Sequence, residues 1–254
     1  MVIVVRDSYW AFIITLFIIL PRLVSESIFR FTMLKTIWVF RIIDIFDIVL
    51  QTISLMIVVL YVYSKYIYGK NKEVSVFYLI VSMMLIGGHM MHFAANAIDM
   101  HFREVLNQDP SVSLPASAYT LLHFLDEYLS HIIMFTALIL IFSIGAIFDM
   151  NGNIKESMWP DKIITIFSGI ILGSGMGISV VEASIPIYMM VLTAICLASI
   201  VTYAKKHERK ISRHVFCLYV VIVFMFLIIS SLAYIAVFGF ASPRELIGSY
   251  LGSS

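Results

Sequence analysis

The sequence predicts an all-α integral membrane protein, a single domain over residues 1–254 built as a bundle of about seven transmembrane helices. Three observations predict it. Of the 254 residues, 61% are apolar and 13% are charged, where a soluble domain carries about a quarter charged residues. The mean hydropathy is +0.99. Apolar runs recur along the chain, most of them near the roughly 20 residues that a helix needs to cross the hydrocarbon core.

The first run, Tyr9–Leu23, is short and ends at Pro21-Arg22. No small-residue cleavage site follows it, so it reads as a retained helix and not a signal peptide. The stretch Ser25–Arg41 carries Arg30, Lys35 and Arg41 among Phe29, Phe31, Leu34, Trp38 and Phe40. That mixture predicts an amphipathic helix lying in the interface, unless the first run does not cross at all. The second span is Ile45–Tyr66. Near its start Asp44 can pair with Arg41 three residues back, a structural contact. The third span is Val74–Ile98, and the fourth, Ala118–Phe148, is long enough to tilt. The fifth, Lys162–Val181, repeats Gly169, Gly173 and Gly177 every four residues, which predicts close helix packing. Ile185–Ala204 and His214–Phe240 complete the set. In the last of these, Ser230 and Ser231 are expected to bond back to the backbone. Cys196 and Cys217 lie in apolar runs and read as buried small hydrophobes.

Linker charge orients the bundle. Lys65, Lys70 and Lys72 follow the second span, and Lys205, Lys206, Arg209, Lys210 and Arg213 follow the sixth. Basic linkers favour the cytoplasmic side, and parity places both there. Asp99–Pro115, where Arg103 is set against Glu104 and Asp109, then faces the opposite side. His207 and His214 flank the basic loop and read as solvated. The net charge of +1 gives no support to a nucleic-acid partner.

Five of the 7 histidines fall where the third span ends and the fourth begins. At about 100° per residue, His89, His92, Asn96 and Asp99 share an arc of roughly 80° on an otherwise apolar helix. His123, Glu127 and His131 share a similar arc on the next helix, and Asp126 turns away from His131. The helices are sequential and antiparallel, so the stripes face each other at the extracytoplasmic end. His89 lies about 15 Å below Asp99 at 1.5 Å per residue. Buried ionisable groups cost about 2.5–3.5 kcal/mol each on insertion scales, and a divalent metal compensates several at once. Zinc, or iron, suits a set of imidazoles and carboxylates. His89, His92, His123 and His131 are the candidate ligands. Asp126 or Glu127 is the candidate general base or ligand orienter, and helical spacing favours Glu127. His101 sits beside the loop and reads as a bystander. Glu182, in the hairpin between the fifth and sixth spans, reads as a turn carboxylate that can lend a ligand or a base.

The run Gly87–Asn96 followed by His123–Glu127 resembles the alkaline ceramidase family, within the CREST group of seven-helix membrane hydrolases. The resemblance covers about fifty residues. It implies that His92 is a metal-binding histidine, that Gly88 or His89 stands at the family's serine, and that Asp126 is the functional acid. The family's phenylalanine precedes its histidine, whereas Phe93 follows His92. Its last helix carries a His-x-x-x-His pair that is missing here, and His123 and His131 would take that pair's place.

The sequence therefore leads to a metal-dependent membrane hydrolase acting on a lipid or another hydrophobic amide or ester. Two other functions use the same residues: a non-haem iron membrane oxygenase, and a transporter for a metal ion or proton. A path should continue to the inner face. The inner halves of the two helices offer only Ser82, Thr136 and Ser143 as polar side chains, which favours a closed pocket. Oligomeric state leaves no mark in the sequence.

Overall fold

The computed structural model describes residues 7–24, 36–37, 40–108, 116–152 and 158–240. The chain is an all-α bundle. In chain order it forms α1 (Asp7–Val24), α2 (Ile42–Val62), α3 (Lys72–Gln108), α4 (Ala116–His123), α5 (Ser130–Met150), α6 (Trp159–Glu182), α7 (Pro186–Lys206) and α8 (Val215–Phe238). A π-helical stretch, Tyr63–Ile67, closes α2. Another, Phe124–Leu129, joins α4 to α5 without a break. Six helices are long and apolar enough to cross a membrane; α1, with an apolar part of Ser8–Ile19, is shorter. Phe77, Met83, Phe167, Ile195 and Leu232 are half or more exposed on the outside of the bundle. Lipid, unlike water, accepts such a surface, and the chain is an integral membrane protein.

Two boundaries differ from the sequence reading. The third predicted span ended at Ile98, but α3 runs on to Gln108. The interfacial helix expected over Ser25–Arg41 lies mostly outside the described residues, with Phe29, Phe31, Leu34 and Trp38 among those. Its described end is not helical. Thr36–Ile37 (β1) and Phe40–Arg41 (β2) pair antiparallel, Thr36 opposite Arg41 and Ile37 opposite Phe40. Thr, Ile and Phe favour extended backbone over helix, and here that preference prevails over amphipathic spacing.

The core sits around α8, whose Phe216, Cys217, Tyr219, Val220, Val223, Phe224 and Leu227 are buried. The glycines of α6 face it, as their spacing predicted. A Cβ on Gly169 would lie 2.8 Å from Ile222 Cγ2, and one on Gly173 would lie 2.4 Å from the Val223 carbonyl oxygen. Both cysteines are free and buried, again as expected. Ser230 bonds back to the Phe226 carbonyl (2.6 Å), but Ser231 instead donates across to the Gly177 carbonyl of α6 (3.1 Å). α1 docks against α6 and α8. The Thr15 hydroxyl lies 2.8 Å from the Tyr219 hydroxyl and 3.2 Å from the Ser168 carbonyl. Ser8 Oγ donates to Asp161 Oδ1 at 2.7 Å, and Trp10 stacks on Tyr61 with ring centroids 4.3 Å apart.

The start of α8 is closed by a residue of another helix. Asp149 Oδ2 accepts the Cys217 N–H at 3.0 Å, and the Asp149 carbonyl accepts from His214 Nδ1 at 3.0 Å. His214 is therefore buried, at 3% exposure, and not solvated as its flanking basic residues suggested. A carboxylate satisfies an orphan helix N–H and opposes the positive end of the helix dipole. Asp149→Ala is expected to cost about 1 kcal/mol, the usual value of a helix cap. Thermal unfolding in detergent checks it, and an unchanged midpoint would mean that the cap is idle.

Candidate functional site

The site begins with a glycine. On α3, Gly88 is buried, and a Cβ there would lie 3.0 Å from the Met134 nitrogen and 3.1 Å from the Ser130 carbonyl oxygen. Glycine lets the backbones of α3 and α5 approach at this level, where the rings of His92 and His131 meet.

The second device is the π-helical stretch. Within it hydrogen bonds run from residue i to i+5. The Ser130 N–H accordingly bonds to the Leu125 carbonyl, one residue further back than an α-helix allows. This has two consequences. Residues five apart now share a face, so Asp126 and His131 come together where helical spacing had put Glu127 with His131. The Asp126 carbonyl is also released from its α-helical partner, the Ser130 N–H, and collects side chains. It accepts from Ser130 Oγ and from His131 Nδ1 at 3.0 Å. Its carboxylate Oδ1 lies 2.7 Å from His92 Nδ1.

Asp126 thus anchors two imidazoles at once through its main-chain carbonyl, 3.0 Å from His131 Nδ1 and 3.4 Å from His92 Nδ1. Its buried carboxylate Oδ1 makes an ion-pair contact with His92 but no hydrogen bond. The two rings are edge to face, with centroids 4.4 Å apart. Asp126 and Ser130 are buried, and the His92 side chain is 23% exposed. His89 is fully buried one turn below His92 and packs edge-on against Phe93, centroids 4.6 Å apart. Neither of its ring nitrogens has a hydrogen-bond partner, an unusual state for a polar group at such depth.

Tautomers follow from the partners. A carbonyl oxygen only accepts, so His131 Nδ1 carries a proton, and in the neutral ring its Nε2 keeps a lone pair. The same carbonyl, 3.4 Å from His92 Nδ1, imposes the same state on His92. Two imidazoles held this way present two Nε2 lone pairs, the form in which histidine binds a metal or takes a proton.

Of the predicted residues, the structure brings together His92, His131 and Asp126, with His89 beneath. His123 lies on the exposed side of its helix, its ring 6.1 Å from that of Tyr128. Glu127, Asn96, Asp99 and Glu182 are half-buried. His101 lies within α3 and not beside a loop, and its side chain falls outside the described residues. Among the described residues no group of three or more His, Cys, Asp or Glu side chains is arranged to hold a metal ion. His89, His92 and His131 do not form such a group, and neither ring nitrogen of His89 has a hydrogen-bond partner. Ser130 was missed in the sequence. Its one signal is a hydroxyl four residues after Asp126, a spacing at which serine bonds back to the helix.

Comparisons with known protein families, curated proteins and solved structures return no match to this chain.

Proposed function

We propose that the chain is a metal-dependent membrane hydrolase acting on a lipid or another hydrophobic amide or ester. The observation that carries this reading is the double anchoring of His92 and His131 on Asp126, which leaves two Nε2 lone pairs directed away from it. His92 and His131 are the proposed metal ligands, and His89, solvent or substrate completes the shell. Asp126 is a positioning residue that fixes the tautomer and aim of both rings. A bound zinc would supply a water acidified toward neutrality and would polarise a carbonyl.

A conduit is less well supported. Two of the three hydroxyls below the site are engaged within their own helices, and the third, of Thr136, pairs with the Tyr188 hydroxyl of α7 at 3.1 Å. Ser82 donates to the Tyr78 carbonyl (2.8 Å) and Ser143 to that of Ile139 (2.7 Å). Around them Tyr78, Leu85, Ile139 and Phe142 are fully buried. A dry floor suits a pocket that keeps its substrate in the outer half of the bilayer.

We also read α1 as a seventh pass. Its 18 residues span about 27 Å at 1.5 Å per residue, close to the hydrocarbon thickness of about 30 Å. The contacts Ser8–Asp161 and Trp10–Tyr61 set its start level with the start of α6 and the end of α2. With the basic linkers cytoplasmic, the histidine site faces the extracytoplasmic side.

Elemental analysis of purified protein tests the function. About one zinc per chain is expected, lost in the His92→Ala/His131→Ala double variant and kept in His123→Ala. A metal-free wild type, or a double variant that keeps its metal, overturns the reading. Iron together with an oxygen-dependent product would replace hydrolysis by oxygenation.

A further inference from the structure

A second feature lies at the other end of the bundle. α7 has the smallest buried share of the six long spans, 28%, so much of it faces lipid. Along that face runs a shallow trough lined by Ile195, Ala198, Ser199, Thr202, Tyr203 and Lys206. Ala198, Ser199 and Thr202 contribute small side chains to it. The Ser199 hydroxyl donates to the Ile195 carbonyl at 2.8 Å. Tyr203 makes a fixed wall, because its hydroxyl donates to Asn151 Oδ1 (2.7 Å) and its ring packs on His207 with centroids 4.3 Å apart. From Ile195 to Lys206 the trough covers about 16 Å at 1.5 Å per residue. That is about one leaflet of a hydrocarbon core roughly 30 Å thick.

The trough ends at a basic turn. Between positions 205 and 213 stand Lys205, Lys206, Arg209, Lys210 and Arg213, against Glu208 alone. The turn is ordered by its own backbone: the Arg209 N–H bonds to the Ala204 carbonyl (2.8 Å) and the Arg213 N–H to that of Lys210 (2.9 Å). Lys205, Lys206, Lys210 and Arg213 are exposed. An apolar trough one leaflet long that opens onto a cluster of cations matches one kind of molecule, an anionic lipid with a chain below and a negative headgroup above. Basic clusters next to a span attract such headgroups.

We propose that α7 and the turn after it form a binding site for an anionic phospholipid of the basic-side leaflet, its acyl chain in the trough and its headgroup on Lys206 and its basic neighbours. This site is separate from the histidine centre and does not depend on the function proposed for it.

The test uses the full chain in detergent, titrated with phosphatidylglycerol or phosphatidylcholine of the same acyl composition. Retained lipid is read by native mass spectrometry. Phosphatidylglycerol is expected to be retained preferentially, and less so as salt rises. Lys206→Gln should weaken its retention about fivefold, the equivalent of about 1 kcal/mol per cation near the surface. Ala198→Trp, which fills the trough from its exposed side, should lower retention with the melting temperature in phosphatidylcholine unchanged. Equal retention of the two lipids overturns the proposal. So does full competition by inorganic phosphate or glycerol phosphate, which marks a headgroup site without a chain. Undiminished retention in Ala198→Trp, or a chain dimer cross-linked through α7, does the same for the trough.

Discussion

Asp126→Asn is expected to weaken metal binding by about 10–100-fold, the usual cost of removing the partner that orients a metal-bound histidine, with the bundle still folded. Asparagine keeps the volume and the main-chain carbonyl. His131, held by that carbonyl at 3.0 Å, stays in place. His92 keeps the carbonyl 3.4 Å from its Nδ1 but loses the carboxylate charge 2.7 Å away that helps to hold its ring. One ring of the pair is loosened, and affinity falls without disappearing. Zinc titration against a chelating indicator measures the loss, and thermal unfolding confirms the fold. Glu127→Gln is the companion variant. A straight α-helix would make Glu127 the partner of His131, so a greater loss in Glu127→Gln than in Asp126→Asn would refute the register shift on which the site is built.

Gly173→Val is expected to be the most damaging single change outside the site. A Cβ at Gly173 would stand 2.4 Å from the Val223 carbonyl oxygen and 2.9 Å from Phe226 Cβ. The first is backbone, so no rotamer change relieves the contact, and α6 and α8 must move apart. Overpacking of this kind costs about 1–3 kcal/mol, and the upper end applies where a carbonyl is the obstacle. Gly175 gives the control, because a Cβ there meets nothing within 4 Å and Gly175→Val should be well tolerated. Melting temperatures of the two variants in the same detergent decide it, and similar values for both would contradict tight packing of α6 on α8.

Both predictions bear on what the sequence could convey. Composition and run length settle a helical membrane bundle because the bilayer filters so strongly for apolar residues and paired backbone. The glycines of α6 were legible for the same reason, since a spacing of four on a regular helix has one geometric meaning. The site was legible only in its residue types. His92, His131 and Asp126 were all singled out, but their grouping rested on 100° per residue, and that assumption fails over Phe124–Leu129. One π turn moved Asp126 in and left His123 on the exposed side, and residue spacing carries no sign of it. His214 shows the converse. Its neighbours are basic and exposed, yet a hydrogen bond to the Asp149 carbonyl on α5 draws it into the bundle, a tertiary fact that local sequence does not contain.

The docking of α1 has a consequence for biogenesis. Its hydroxyl partner Tyr219 lies 204 residues further along the chain. At about 5–20 residues per second, the ribosome reaches that position roughly 10–40 s after it has passed Thr15. Throughout that interval the first helix has been made, but the groove that receives its polar face has not. The Trp10–Tyr61 stack is its earlier tether, available as soon as α2 emerges. Helix α1 is therefore made well before the elements that secure it, and its closure against α8 waits until Tyr219 has been delivered.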